Sequence, residues 1–125
     1  MKFRIRDNSI RVRLTRSEVA RLATGERLEQ TTEFSPTAGL VSSVEFSPRV
    51  AVPTASLAGS RLSLLLPADQ VKRWASSDQV SIVGEQSIAA GRSLQLLVEK
   101  DFESSHTRAE GSTDYFPNPR HQQPA

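Results

Sequence analysis

The chain has 125 residues, a mass of 13.8 kDa and a formal net charge of +2, with 37% apolar and 24% charged residues and no cysteine. That is the size of one ordinary domain with material for one small core. The lack of cysteine excludes disulfides, thiolate metal sites and thiol nucleophiles. The longest aliphatic run is Leu64-Leu65-Leu66, far short of the roughly 20 residues that span a bilayer. The basic start lacks an apolar core of the kind secretory signals carry, so a cytoplasmic protein without membrane contact is expected.

In chain order, Phe3 and Ile5, then Ile10, Val12 and Leu14, occupy alternate positions. A period of two places them on one face of extended strands. Asp7-Asn8 supplies turn chemistry between them, so 2–6 and 9–14 read as a hairpin. Thr15-Arg16-Ser17-Glu18 has the capping-box form, and Val19, Leu22 and Ala23 follow at helical spacing, with Gly25 as a stop. Alternation resumes over 27–34 and 41–47, with 35–39 as the turn.

The plan then returns. Shifted by 52 residues, Ile5 falls on Leu57, and Ile10, Val12 and Leu14 fall on Leu62, Leu64 and Leu66. Val19, Leu22 and Ala23 fall on Val71, Trp74 and Ala75; Leu28 falls on Val80; Val44 and Phe46 fall on Leu96 and Val98. Strands are predicted over 51–57, 61–66, 79–83 and 93–100, with turns at Ala58-Gly59-Ser60 and Ala89-Ala90-Gly91. Pro67 suits the first helical turn, where Asp69 and Gln70 are placed to accept from free amides. The expected fold is α+β. Internally duplicated strand-strand-helix-strand-strand units build an eight-stranded, mostly antiparallel sheet or barrel with two short helices. Residues 1–103 form a single duplicated domain (repeats about 1–51 and 53–103). Residues 104–125, with three of the seven prolines and both histidines, form an extended C-terminal tail.

Three clusters bear on function. Residues 1–25 hold seven cations against Asp7 and Glu18, a local charge of +5, so the remainder carries −3. Lys2, Arg4, Arg6, Arg11 and Arg13 alternate with the apolar positions and therefore share the polar face of the hairpin. Like charges this close call for anions, from a phosphate-bearing ligand, an acidic partner, or the chain's own Glu29, Glu33 and Glu45. No aromatic lies on that face, so nucleic-acid stacking lacks its platform. Second, Glu99, Asp101 and Glu103 alternate, with His106 just beyond, a set of the kind that holds a hard divalent ion. Third, wide duplicated barrels can process triphosphates, but their metal needs acids on the first strand, which here reads Lys2-Phe3-Arg4-Ile5-Arg6. Both histidines lie in the tail, which counts against a Ser-His-Asp site, and no Gly-rich phosphate loop occurs. Trp74 and Val71 read as core.

The opening Lys2-Phe3-Arg4-Ile5-Arg6-x-Asn8-Ser9-Ile10-Arg11-x-Arg13-Leu14-Thr15-x-Ser17-Glu18-Val19 resembles a family of short bacterial proteins with a domain of unknown function. The likeness continues through Trp74-Ala75-Ser76-Ser77, Gly84-Glu85-Gln86, Leu97-Val98-Glu99-Lys100-Asp101-Phe102 and Phe116-Pro117-Asn118-Pro119. It implies a bacterial origin and no assigned activity. Relatives carry Cys-x-His after Glu-Lys-Asp-Phe, where this chain has Ser104 and His106. The residues themselves point to a small non-enzymatic binding or adaptor module without a cofactor. Its basic hairpin would meet an anionic small molecule or an acidic protein; the alternative is a metal-dependent phosphohydrolase-type enzyme using Glu99, Asp101, Glu103 and His106.

Overall fold

A computed structural model describes residues 1–102. The predicted tail at 104–125, with Glu103 and His106, lies outside the described residues. The elements are β1 (Lys2–Arg6), β2 (Ser9–Leu14), α1 (Arg16–Ala23), β3 (Leu28–Ser35), β4 (Ala38–Ser47), β5 (Thr54–Ala58), β6 (Arg61–Pro67), α2 (Ala68–Ala75), β7 (Ser81–Ala89) and β8 (Arg92–Lys100). The order strand-strand-helix-strand-strand therefore occurs twice.

The fold is α+β with two short helices and eight mostly antiparallel strands, as expected; the arrangement is two sheets in place of one sheet or a barrel. The eight described strands form two four-stranded sheets, ordered β1-β2-β8-β7 and β3-β4-β6-β5, with no closed barrel. Four pairings are antiparallel hairpins, and two, β2 with β8 and β4 with β6, are parallel. Each sheet joins the first hairpin of one half to the second hairpin of the other. Neither half closes a sheet alone, which fits the small apolar content of each.

Local chemistry set the elements. The Thr15 hydroxyl accepts from Glu18 N–H while Glu18 accepts from Thr15 N–H, the reciprocal cap that starts α1. Gly25, at φ +99°, ends it. Asp7 (φ 47°) and Gly59 (φ 58°) hold matching places in the β1–β2 and β5–β6 turns, both left-handed. Helix α2 differs from expectation. Pro67, still part of β6, is its N-cap, and no side chain caps the helix, so Asp69 and Gln70 do not accept there. A proline at that place has no N–H to satisfy.

The sheet register also alters the internal correspondence. On the inner faces Phe3–Val12–Val98–Ile82 forms one row and Ala55–Leu64–Val44–Leu28 the other. The first hairpins match at an offset of 52, but Leu28 matches Ile82 and Val44 matches Val98, an offset of 54. Two extra residues lie in the connection after α2, which explains why Val80 is exposed rather than in the core. The bulges agree with this offset, at Phe34 between Glu33 and Ser35 and at Ile88 between Ser87 and Ala89.

The core draws on both sheets and both helices: Val12, Leu14, Leu22, Leu28, Val44, Leu64, Leu66, Val71, Trp74, Ile82 and Val98. Trp74 is fully buried and its Nε1–H donates to the Val80 carbonyl at 2.9 Å. Ile5, expected inward with Phe3, is 60% exposed although its row partners Ile10 and Leu96 are buried, because it lies on the edge strand β1.

Candidate functional site

The polar sides of β1, β2, β8 and β7 together form the outer face of the first sheet. Three rows cross it: Lys2–Arg13–Glu99–Ser81, Arg4–Arg11–Leu97–Val83 and Arg6–Ser9–Gln95–Glu85. All five cations of the hairpin lie on this face, as the alternation requires.

The parallel β2–β8 pairing brings the predicted basic cluster against the predicted acidic one. Glu99 stands opposite Arg13, and its Oε1 accepts from Arg13 Nε at 2.8 Å and lies 3.2 Å from Arg11 Nε. The Arg13 and Glu99 side chains are only 12% and 14% exposed. Asp101 Oδ2 lies 3.0 Å from Lys2 Nζ, and Asp101 N–H donates to the Leu14 carbonyl. Two of the three carboxylates offered for a divalent ion, Glu99 and Asp101, are thus counter-ions of the hairpin. Among the described residues no group of three or more His, Cys, Asp or Glu is arranged to hold a metal.

The acids expected to neutralise the hairpin do otherwise, because β3 and β4 belong to the second sheet. Glu29 accepts from Arg61, and that bond holds its carboxyl below the ordinary carboxylate range. Glu45 lies 3.8 Å from Arg27. Nothing in a period-two pattern marks Glu99 and Asp101 as the partners, since alternation assigns a face and not a neighbour.

Arg4 and Arg6 are treated differently from their neighbours. Both side chains are exposed, and neither makes an ion pair or hydrogen bond among the described residues. They line an open groove of about 410 Å³ with Arg11, Ser9, Gln95, Leu97 and Val83. Val83 is 69% exposed. A bare valine beside uncompensated guanidiniums is a surface that water solvates poorly on one side and an anion would neutralise on the other.

The opening residues of β1 and β2, the Gly84–Gln86 stretch of β7 and the Leu97–Phe102 stretch that ends β8 thus converge on one sheet. The family model for a family of unknown function (DUF7009) matches residues 1–120. The chain belongs to this family. No curated protein and no solved structure matches it. Membership in DUF7009 carries no activity, so the chemistry of the face has to be argued from the residues.

Proposed function

We propose that this DUF7009 protein is a small binding module that docks an acidic protein partner on the outer face of its first sheet. Arg4 and Arg6 make the charged contacts, with Arg11 beside them. Val83 and Leu97 supply the apolar floor. The observation that carries this reading is the pair of exposed, uncompensated arginines beside an exposed valine in one groove. Lys2, Arg11 and Arg13 already have carboxylates, so the charge available to a partner resides chiefly on the tip side of β1.

The groove is open, and that favours a macromolecular surface over a small anion, which is held best in a concave, enclosed site. Arginine presents a planar fork that engages carboxylates two bonds at a time, and a rim of such charge speeds encounter with an acidic surface.

The test is a fluorescence-anisotropy titration with a labelled peptide of alternating glutamate and leucine, and with its glutamine counterpart. The acidic peptide should bind, more weakly as salt rises, and the glutamine peptide should not. Arg4→Glu with Arg6→Glu, and separately Val83→Glu, should each weaken binding about tenfold or more, with the melting temperature nearly unchanged. Equal binding of both peptides, or indifference to the substitutions, would overturn the proposal.

A further inference from the structure

The sheets have four edge strands, β1 and β7 on one and β3 and β5 on the other. Two of them cover each other. The Gln86 side chain on β7 accepts from Ala55 N–H at 2.7 Å and donates to the Ala55 carbonyl at 3.0 Å on β5. The Pro53 ring lies against the backbone of Gly84, where an added Cβ would come within 2.8 Å of it. The register places Thr32 of β3 at the position matching Gln86. Its side chain is too short for the same bridge, and among the described residues no hydrogen bond links β1 to β3.

These two edges, uncovered among the described residues, carry opposite charge. The outward residues of β1 are Lys2, Arg4 and Arg6; those of β3 are Glu29, Thr31 and Glu33. Like Arg4 and Arg6, Glu33 is exposed and has no partner among the described residues. The same two strands expose Ile5 (60%) and Phe34 (73%). An open edge with free backbone groups is a template for another strand, and the charge on it decides which. Pairing β1 with β1 opposes cations to cations, and pairing β3 with β3 opposes acids to acids. Only β1 against β3 matches signs.

We infer that two copies of the chain associate edge to edge, β1 of each against β3 of the other. A two-fold axis satisfies both seams at once. The contact is therefore self-complementary and closed, and it does not propagate into a fibre. The inference shares Arg4 and Arg6 with the acidic-partner proposal but draws on the β3 edge in place of the Val83 groove, so Glu33→Arg and Val83→Glu tell the two apart.

Sedimentation velocity on the full chain, across a concentration series, tests it. The wild type should form a dimer that weakens in high salt. Glu33→Arg alone should raise the dimer dissociation constant about tenfold or more, and so should Arg4→Glu with Arg6→Glu. Mixing these two variants should restore a heterodimer, because each then offers the edge that the other needs. Val83→Glu should leave dimerisation intact while abolishing capture of the acidic peptide, and Glu33→Arg should do the reverse. Far-UV circular dichroism checks the fold; if the β1 variant unfolds, Glu33→Arg and salt decide. A wild type that stays monomeric throughout, variants that dimerise as well as it does, or a mixture that stays monomeric would each overturn the inference.

Discussion

Arg13 and Glu99 face each other across the parallel β2–β8 pair, 86 residues apart in sequence, with Arg13 Nε donating to Glu99 Oε1 at 2.8 Å. Arg11 shares the same oxygen. Their carboxylate is largely shielded from water, so its loss removes a counter-charge from a poorly solvated guanidinium. Glu99→Gln should lower stability by about 1–2 kcal/mol, less than a wholly buried pair because Arg11 is partly solvated. Urea denaturation checks it. A double-mutant cycle with Arg13→Met should show strong coupling, and additive effects would mean that the pair contributes nothing beyond packing.

The seam between β5 and β7 should be the sensitive joint between the sheets. Gln86→Leu removes both bonds to Ala55 and should destabilise by about 1–3 kcal/mol. Gly84→Ala should cost about the same for a steric reason. The new methyl meets Cβ and Cγ of Pro53 at 2.8 and 2.9 Å, and a proline ring cannot swing aside. Melting curves of the two variants and of Gly59→Ala separate the causes. Gly59 has open space around it, so its alanine variant reports only the left-handed φ of 58°.

Trp74→Phe should be among the costliest conservative changes, at about 2–3 kcal/mol. It removes volume from a fully buried site and takes away one of the two donors to the Val80 carbonyl, which keeps the Lys100 N–H at 3.0 Å. The matching residue of α1 is Leu22, also fully buried but without a polar atom. Leu22→Met should therefore be mild by comparison, with equilibrium unfolding as the measure.

Glu18 makes stability depend on pH. Burial alone would raise its carboxyl, but the Met1 ammonium 2.7 Å away and the Thr15 cap hold it below the ordinary carboxylate range. A carboxyl lowered in the folded state contributes stability above its unfolded pKa, and that contribution is lost as pH falls through the folded pKa. Glu18→Gln should thus be less stable than wild type at neutral pH by about 1 kcal/mol, with the gap narrowing in acid. Melting temperatures from neutral pH down past the carboxylate range decide it. A gap that stays constant would place the effect in packing.

The repeated strand-strand-helix-strand-strand order, the Thr15–Glu18 cap and the inward stripes of both helices were legible in the amino acids, because each is a contest among neighbours within a few positions. So was the shared face of Lys2, Arg4, Arg6, Arg11 and Arg13. The ends of elements were less so. The turns shrank to Pro36-Thr37 and Ala90-Gly91, since pairing extended β4 and β7 through residues with no alternation of their own.

Which strand lies beside which was settled only by the tertiary structure. Alternation says which side chains point inward, yet parallel partners such as β2 and β8 meet only after the whole chain has been arranged around one core. That arrangement moved the second hairpins to an offset of 54, and it set Glu99 and Asp101 as counter-ions beside Arg11, Arg13 and Lys2. Among the described residues, it also left Arg4 and Arg6 as the uncompensated part of the hairpin. Charge on a strand is a local property; whether that charge is satisfied depends on a neighbour that sequence distance does not reveal.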